Sequence, residues 1–374
     1  MGVSSEKVPK QTYTIAVVRG DGIGPEVIEE GIKVLKSAVS TTGGPLLSFE
    51  EAPAGAECFL KTGNHFPEES FRICREADAI FLGATGLPHV KLADGTGISI
   101  SWELKQRLGL FAAIRPITLM CEGISPLKDK KPGSIKLTIV RENTEGIYAS
   151  RNAGVYLHDS VVVNPMVITR KASERIAHIA FRLCEQGSGS PLDGVKRVTC
   201  IDKSNVLAGF AFFRKIFEEV GAQYPSIEKD YCFIDAAALK MVVQPEWFDV
   251  LLTENMHGDI LSDLAAGLVG GLGFAPSANI GDSSGMFEPA HGTAPTIAGK
   301  NIANPIATIL SGAMMLHWLA EQHGDQRLSD VASLVEATTS DLLSKGIIRT
   351  KDMGGSASTS EVGDAIAEEI ERRR

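Results

Sequence analysis

Gly258-Asp259-Ile260-Leu261-Ser262-Asp263-Leu264 is the stretch around which the rest of this sequence is arranged. It follows the apolar run 250–252, which predicts a buried strand, and it is itself compatible with a helix. A buried strand that leads into a helix is the repeating unit of an α/β protein, so the stretch indicates that fold class. Asp259 and Asp263 are four residues apart, which places both carboxylates on one face of the helix.

Two like charges on successive helical turns repel each other, so this pair of acids calls for a reason. One reason is a divalent cation, because Mg²⁺ prefers one or two protein carboxylates and completes its shell with water and substrate oxygens. The alternative is a helix-capping Asp259 beside a solvated Asp263, since Asp is common at helix starts. Spacing alone favours this alternative, and the rest of the chain reverses the preference.

The composition is that of a folded protein with two or three domains, since 44% of its 374 residues are hydrophobic and 22% are charged. A net charge of -9 argues against non-specific nucleic-acid binding. The six cysteines show no CxxC spacing and predict reduced thiols. The N-terminus resembles no signal peptide, and the apolar stretch 306–320 is too short to span a membrane. We expect a cytoplasmic protein that binds neither nucleic acid nor membrane.

The α/β pattern begins near the N-terminus, where the apolar run 14–18 leads into Gly20-Asp21-Gly22-Ile23-Gly24-Pro25-Glu26 and a helix. The spacing is GxGxG rather than GxGxxG, so it does not support a Rossmann fold. These glycines permit a tight turn that can approach a ligand closely. Further strands are predicted at 79–83, 135–140, 198–201 and 231–234, helices at 102–108, 171–184, 210–220 and 236–243, and a β-arm at 155–163.

Polar side chains follow these predicted strands: Arg115, Arg141, Tyr148, Lys203, Asp235, Asp259 and Asp263. Each has an ordinary explanation by itself, such as a surface ion pair or a solvated lysine. However, ligands of open α/β sheets bind beyond the carboxyl ends of the strands. Three acids, two arginines, a lysine and a tyrosine at that edge predict an anionic, metal-chelating substrate.

Several long motifs follow one another along the chain: Gly20 to Glu26, Arg141 to Tyr148, Lys203 to Asn205, Asn255 to Leu268, Phe287 to Pro295 and Ile302 to Pro305. In these motifs the chain resembles the β-decarboxylating dehydrogenases, which act on isocitrate, 3-isopropylmalate, homoisocitrate, and tartrate or D-malate. The resemblance covers Gly20 to about Gly363. It implies an isopropylmalate dehydrogenase-like two-domain α/β fold, distinct from the Rossmann fold, with a central mixed sheet flanked by helices.

The resemblance also implies a domain organisation. A large domain with the dinucleotide-binding loops would comprise residues 1–110 and 270–374. A small domain, residues 111–269, would carry the dimer interface, the arm and the metal and catalytic residues. The implied assembly is a homodimer with shared active sites, in which each site takes Lys203 and Asp235 from the neighbouring subunit and the arm forms an intersubunit clasp.

The implied reaction is the metal-dependent, NAD-linked oxidative decarboxylation of a 2-hydroxy acid that bears a 3-carboxylate. Asp235, Asp259 and Asp263 would bind Mg²⁺ or Mn²⁺, which would hold the substrate and stabilise the enolate formed on decarboxylation. Lys203 would accept the hydroxyl proton, and Tyr148 would protonate the enolate carbon. Asp235 would thus be both a metal ligand and a catalytic residue.

Substrate recognition departs from the family pattern. Arg115 and Arg141 would grip carboxylates through bidentate forks. The first of the three usual arginines is Lys105 here, which keeps the charge and loses the fork. Isopropylmalate enzymes have leucines near positions 101 and 102, and isocitrate enzymes have Ser and Asn at positions matching Ser99 and Ser101, so the chain fits neither group cleanly. D-malate, tartrate, a 3-alkylmalate, isocitrate and homoisocitrate all stay open, although residues 299–306 are most similar to the tartrate/D-malate branch.

The resemblance implies NAD as the cofactor, with NADP the weaker alternative. Relatives that use NAD⁺ usually have Asp where this chain has Thr296, and relatives that use NADP⁺ often have Lys there. A threonine hydroxyl can bond a ribose hydroxyl but cannot balance a 2′-phosphate. The residues implied at the cofactor are Asn205, Glu288, His291, Gly292, Thr293, Ala294, Thr296 and Asn304.

Two hypotheses from other functional classes remain. A non-catalytic regulatory subunit is one, since some relatives lose catalytic residues, but the retention of Lys203, Tyr148 and all three acids argues against it. The other is a nucleotide-binding module without redox chemistry, which would not need three metal-binding acids.

Overall fold

The structure, a computed structural model, describes residues 8–151 and 153–373. The prediction that the N-terminus is not a signal peptide concerns a segment that includes residues 1–7, which lie outside the described residues. Strands and helices alternate along most of the described chain, which confirms the α/β class. No helix in these two ranges is both long and apolar enough to cross a membrane.

The strands are β1 (Thr12–Val18), β2 (Leu46–Glu51), β3 (Ala79–Leu82), β4 (Ala112–Thr118), β5 (Lys136–Glu142), β6 (Val155–Leu157), β7 (Val161–Val163), β8 (Arg197–Asp202), β9 (Glu228–Phe233), β10 (Val250–Thr253), β11 (Pro276–Ile280) and β12 (Gly285–Pro289). The helices are α1 (Gly24–Thr42), α2 (Ala56–Thr62), α3 (Glu68–Glu76), α4 (Ile100–Leu108), α5 (Arg170–Gln186), α6 (Ala208–Gly221), α7 (Ile234–Val243), α8 (Asn255–Leu268), α9 (Ile306–His323), α10 (Gln326–Ser344) and α11 (Thr359–Arg372).

The chain divides into two compact units. The first contains the described residues up to Leu108, followed by 272–278 and 282 onward, and the second contains 109–271 and 279–281. In the first unit the strand order is β2-β1-β3-β12-β11, with β1 parallel to β2 and β3 and with β12 parallel to β3. In the second unit the order is β4-β5-β10-β8-β9, with β4 antiparallel to β5 and the other pairs parallel. The predicted mixed sheet is therefore confirmed.

The strand β10 organises the second unit. Every residue of β10 is buried, because a central parallel strand is covered on both faces. It lies between β5 and β8, and all three strands run in the same direction. The carboxyl ends of the three strands therefore lie on the same side of the sheet. Arg141 lies near the end of β5, Lys203 follows β8, and the helix α8 follows β10.

The core of this unit packs between the sheet and two helices. Apolar side chains of α5 and α6, among them Phe181 and Phe217, lie against Val198 of β8 and Leu252 of β10. The Phe181 and Phe217 rings stack with their centroids 5.2 Å apart. This packing holds the strands whose ends carry the polar side chains.

The glycine turn of the first unit is shaped by close contact with the chain itself. Gly22 has a φ of +62°, and a Cβ atom there would lie 2.1 Å from the carbonyl oxygen of Thr293. The buried Asp21 carboxylate accepts hydrogen bonds from the backbone N–H groups of Ala56 at 2.8 Å and Gly86 at 2.6 Å. The close approach that the glycine allows is therefore to the backbone of the segment that contains Thr293.

The structure corrects two placements and confirms the β-arm. Arg115 lies in the middle of β4, opposite Ile139, rather than after a strand. Asp235 lies in the first turn of α7 and not at the end of β9. The arm is an antiparallel hairpin of β6 and β7.

Candidate active site

The helix α8 carries the two acids that the spacing paired. Its N-cap is Glu254, whose side chain accepts a hydrogen bond from the His257 backbone N–H at 3.3 Å. Asp259 lies in the second turn, so the alternative in which Asp259 caps the helix is wrong. The side chains of Asp259 and Asp263 are 40% and 61% exposed, which leaves both carboxylates open to a ligand.

Three further predicted residues converge on these acids. The Arg141 Nη1 atom forms an ion pair with Asp259 Oδ1, and the Tyr148 hydroxyl donates to Asp259 Oδ2 at 3.0 Å. Arg115 lies between the acids, with Nη2 4.0 Å from Asp259 Oδ1 and Nη1 3.5 Å from Asp263 Oδ1. Five of the seven polar residues predicted at the sheet edge thus form one group within the second unit.

The arginines set the charge state of this group. Burial by itself would raise the pKa of Asp259, but the Arg141 and Arg115 guanidinium groups bring that pKa below its ordinary value. Burial raises the pKa of Tyr148, and the Asp259 carboxylate that accepts its hydrogen bond raises it further. At neutral pH, Asp259 is therefore an anion and Tyr148 retains its proton.

The predicted third metal ligand lies elsewhere in the second unit. Asp235 accepts a hydrogen bond from Lys203 Nζ, and this bond lowers the pKa of Asp235. Among the described residues, no hydrogen bond or ion pair joins this pair to Asp259 or Asp263, and no three His, Cys, Asp or Glu side chains are grouped to hold a metal. The two oxygen-donor carboxylates of α8 nevertheless fit Mg²⁺ or Mn²⁺, because such ions take as few as one or two protein carboxylates.

A buried ion pair holds the turn that carries Lys203. Asp202, at the end of β8, accepts hydrogen bonds from Arg214 Nε at 2.6 Å and Nη2 at 3.0 Å. The same carboxylate accepts the Ser204 backbone N–H at 2.8 Å. The backbone on both sides of Lys203 is therefore restrained. Asn205, predicted near the cofactor, is exposed in the same turn.

Two residues of this group were not predicted. The Asn255 side chain accepts hydrogen bonds from Arg141, and the Ser262 hydroxyl accepts one from Arg115 Nη1. Asn255 could have been found from its spacing, since it precedes Asp259 by four residues and so shares its helix face. The sequence offers no comparable signal for the partnership of Ser262.

The first unit contains a second polar group. The Ser101 hydroxyl donates to Glu288 Oε1 at 2.8 Å, and the Lys105 ammonium lies 3.5 Å from the same oxygen. The side chains of Lys105 and Glu288 are only 12% and 15% exposed. Ser99, which precedes α4, is partly buried, and its carbonyl accepts the Glu103 backbone N–H at 3.3 Å. A residue predicted to bind substrate and one predicted to bind cofactor are therefore direct partners.

The predicted dinucleotide loop begins at His291. Its Nδ1 atom lies 3.0 Å from the Gly292 carbonyl oxygen, and its buried Nε2 atom has no hydrogen-bond partner among the described residues. Burial lowers the pKa of His291, so the ring is neutral at pH 7. The Thr293 hydroxyl donates to the Gly86 carbonyl at 2.9 Å, and Ala294 adopts a positive φ of 37°. An unpartnered buried nitrogen fits a ligand that offers a hydrogen bond.

The end of the loop is more firmly tied to the protein. Thr296 is exposed, and its carbonyl accepts a hydrogen bond from Lys300 Nζ at 2.7 Å. Asn304 is buried, donates to Asp352 Oδ2 at 3.1 Å and accepts the Ile306 backbone N–H at 3.0 Å. The Thr296 side chain is thus open to a ligand, whereas the Asn304 side chain is already hydrogen-bonded within the first unit.

Comparisons with known proteins find similar sequences and structures over nearly the whole chain. The family model described as isocitrate/isopropylmalate dehydrogenase matches residues 14–366. A 3-isopropylmalate/3-methylmalate dehydrogenase of Methanocaldococcus jannaschii is 40% identical over 359 residues, covering 96% of this chain and 99% of that protein. An isocitrate/homoisocitrate dehydrogenase of Thermus thermophilus is 42% identical over 359 residues, covering 96% and 98%. The crystal structure of isocitrate dehydrogenase from Methylococcus capsulatus matches with a TM-score of 0.83 at 34% identity, covering 96% of this chain and 99% of that one.

Proposed function

Because the chain belongs to the isocitrate/isopropylmalate dehydrogenase family, we propose that it catalyses the metal-dependent, NAD-linked oxidative decarboxylation of a 2-hydroxy acid that bears a 3-carboxylate. Members of this family are oxidative decarboxylating dehydrogenases that act on CH–OH groups, and this chain is one of them. The observation that carries the proposal is the convergence of Arg141, Arg115 and Tyr148 on the acids of α8.

The polar side chains of the second unit that were described above each have a role in this proposal. Bound Mg²⁺ or Mn²⁺ would supply a Lewis acid for the substrate oxygens, and bound NAD⁺ the hydride acceptor. Asp259 and Asp263 would hold the metal, together with Asp235 of a second copy of the chain. Tyr148 would give its hydroxyl proton to the enolate carbon, and Lys203 would take the proton of the substrate hydroxyl.

Arg115 and Arg141 would bind the substrate carboxylates. A guanidinium group presents paired N–H donors that match a carboxylate. Both arginines are largely buried, and their contacts with the acids of α8 leave some of their N–H donors available for the substrate. Lys105, which belongs to the first unit, would contact a further carboxylate of the substrate, and Glu288 would hold its ammonium group. Ser99 and Ser101 would lie near the substituent at C3.

The substrate we favour is D-malate, tartrate or a 3-alkylmalate. A relative named 3-isopropylmalate/3-methylmalate dehydrogenase supports the 3-alkylmalate class. The second candidate is isocitrate or homoisocitrate, because the T. thermophilus relative carries both names and because Ser101, Lys105 and Glu288 form a polar rather than an apolar group.

NAD⁺ is the proposed dinucleotide, bound along the loop from His291 to Asn304. The unpartnered Nε2 atom of His291 and the exposed Thr296 support this placement. Gly292, Thr293 and Ala294 would bring the loop backbone close to the ligand, while Asn205 and Glu288 would lie toward the nicotinamide.

A homodimer is the proposed assembly, and exposed apolar side chains of the second unit support it. The six hairpin residues of β6 and β7 are between 46% and 72% exposed. Further exposed apolar residues lie beside the functional ones: Val206 and Leu207 after Lys203, Leu239, Val242 and Val243 on α7 with Asp235, and Ile260 next to Asp259. Exposed apolar surface of this kind marks an interface, and its occupant would be a second copy of the chain. We propose that the dimer works in the cytoplasm.

A substrate screen tests the proposal. The purified protein would be assayed for NADH or NADPH formation with D-malate, tartrate, 3-isopropylmalate, isocitrate and homoisocitrate, with Mn²⁺ and with EDTA. We expect Mn²⁺-dependent reduction of NAD⁺ accompanied by one CO₂ per NADH. Reduction that persists in EDTA would refute the metal assignment, and no reduction with any of these acids would refute the proposed function.

A further inference from the structure

A buried asparagine stands behind the arginine fork of the candidate site. Asn255, the first residue of α8, is fully buried. Its Oδ1 atom accepts two hydrogen bonds from Arg141, one from Nε at 2.9 Å and one from Nη2 at 2.7 Å. One edge of the guanidinium plane is therefore bound by a single oxygen, and the Nη1 group at the other edge is directed at Asp259.

The other end of the same amide holds a second element of the site. Asn255 Nδ2 donates to the Glu145 carbonyl oxygen at 2.9 Å. Glu145 lies in the turn that leads from β5 to the short helical turn containing Tyr148. The next residue, Gly146, has a φ of +73°, and a Cβ atom there would lie 2.0 Å from Glu254 Oε1, so this turn packs tightly against the start of α8.

We propose that Asn255 is a positioning residue that couples carboxylate recognition by Arg141 to proton donation by Tyr148. This inference rests on the proposed function and assigns a role to a residue that contacts neither metal nor substrate in it. With two of its donors held by Asn255 and Nη1 held by Asp259, the Arg141 guanidinium cannot rotate, and its remaining N–H groups keep one direction. The hydrogen bond to Glu145 keeps the Tyr148 turn in register with that fork.

An amide suits this position because both of its ends are used. Its carbonyl oxygen has two lone pairs for the two N–H groups of Arg141, and its NH₂ group donates to a backbone carbonyl. Aspartate offers the acceptor without the donor. Leucine has the same number of side-chain heavy atoms and the same branching but offers neither, and at a buried site it would leave the donors of Arg141 and the Glu145 carbonyl unsatisfied.

Steady-state kinetics with the best acid from the substrate screen, NAD⁺ and Mn²⁺ test the proposal. Asn255→Leu is expected to raise KM for the acid roughly 10- to 100-fold, the range for losing a hydrogen bond to a charged group, and to lower kcat as well. Asn255→Asp restores the acceptor alone, so most of the KM defect should disappear while kcat stays low. Placed on Arg141→Lys, Asn255→Leu should raise KM little further, since its effect on KM acts through the Arg141 fork.

Asn143→Leu is the matched control. Asn143 is equally buried in the second unit, but its Nδ2 atom donates to Leu110 and Asn279 instead of organising Arg141. We expect this variant to lower thermal stability without the KM rise of Asn255→Leu.

Several results would overturn the inference. These are a KM change below about twofold in Asn255→Leu, full additivity with Arg141→Lys, or an equal KM rise in the control. If Asn255→Leu does not fold, Asn255→Asp decides alone, and wild-type values of both kcat and KM in that variant would refute the role. Wild-type protein that turns over none of the acids would instead refute the proposed function on which the inference depends.

Discussion

At the scale of single residues, the charge of Asp259 depends on partners far away in the sequence. Arg141 and Tyr148 both contact its carboxylate, and they lie 118 and 111 residues before it. Burial opposes ionisation of this carboxyl, and the two guanidinium groups together with the Tyr148 hydrogen bond outweigh burial, so the pKa of Asp259 is lowered. The same arginines that suit carboxylate binding therefore also keep a proposed metal ligand charged.

Lys105 provides a test at this scale. Lys105→Ala should lower kcat/KM for the preferred acid by about 1–3 kcal/mol in activation free energy, because a charged contact to the substrate carboxylate is lost. It also removes the ammonium that lies 3.5 Å from Glu288. Lys105→Arg, which restores the charge as a fork, should recover most of the loss.

The control for Lys105 is Lys61→Ala, which removes an exposed lysine from the same unit. Both variants would be compared by kcat/KM and by melting temperature. Equal kcat/KM values for Lys105→Ala and the wild type would remove Lys105 from the substrate site.

Thr296 provides a test of cofactor choice. Thr296→Asp should raise the ratio of kcat/KM for NAD⁺ to that for NADP⁺ by about tenfold, since a carboxylate repels the 2′-phosphate and can accept hydrogen bonds from ribose hydroxyls. Thr296→Asn, which has the same shape as the Asp variant and no charge, is the matched control. A wild-type protein that already favours NADP⁺ would contradict the assignment of NAD⁺.

At the scale of elements, α8 gathers the site because of its spacing. Asn255, Asp259 and Asp263 follow one another at intervals of four residues, so one helix face presents an amide and two carboxylates in sequence. The helix begins directly after β10, whose parallel neighbours β5 and β8 deliver Arg141 and Lys203 at the same edge.

The helix α5 supports this sheet and carries a histidine that should make the fold sensitive to acid. Burial lowers the pKa of His178, and the charge of Arg182 lowers it further. The unfolded chain therefore binds this proton at a higher pH than the folded chain does. The stabilising contribution is complete above the unfolded pKa, about 6.5, and is lost as the pH falls through the lower folded pKa.

His178→Gln should flatten this dependence, because glutamine does not titrate and can still hydrogen-bond Tyr224, whose hydroxyl lies 3.0 Å from His178 Nδ1. The free energy of unfolding, measured by urea denaturation between pH 7.5 and 4.5, should fall less steeply in this variant than in the wild type. The exposed His89→Gln variant is the control. Parallel curves for His178→Gln and the wild type would contradict the prediction.

At the scale of the whole molecule, the Lys203–Asp235 pair and the acids of α8 do not come together within one chain. Among the described residues these four side chains form no common metal-binding group. In the proposed homodimer, a second copy would bring them together through the exposed apolar hairpin and the exposed apolar residues on α7 and α8. The proposed active site therefore depends on assembly as well as on folding.

Complementation between two inactive variants tests this assembly. Lys203→Ala and Asp259→Asn should each be inactive alone. If Lys203 acts across the interface, a mixed dimer has one site with both lesions and one with neither. An equimolar mixture, unfolded and refolded together, should then recover about a quarter of wild-type activity, since half of the dimers are mixed and each has one intact site.

The control is the same experiment with Asp259→Asn and Asp263→Asn, two lesions on the same helix, so that each site of a mixed dimer carries one of them and no site is intact. Differently tagged copies would show by tandem purification that mixed dimers form. If mixed dimers form and recover no activity, the shared site is wrong.

The sequence by itself determined the elements and the family. The buried run of β10, the four-residue spacing of Asp259 and Asp263 and the long motifs are all local patterns, and a strand or helix forms from local periodicity and burial. The alternating strands and helices were enough to predict the α/β class, because an apolar strand leading into an amphipathic helix has few ways to bury its surface. The mixed sheet was predicted from the family resemblance that the long motifs carry.

Only the tertiary structure decided which side chains meet. Asn255 with Arg141 joins residues 114 positions apart, and Ser101 with Glu288 joins residues 187 positions apart. A hydrogen bond depends on distances of about 3 Å and on direction, and these follow from the packing of strands and helices rather than from the identity of neighbouring residues. The residue types predicted an acidic, arginine-rich site. The packing determined that Asn255 contacts Arg141 and that Glu288 contacts Lys105.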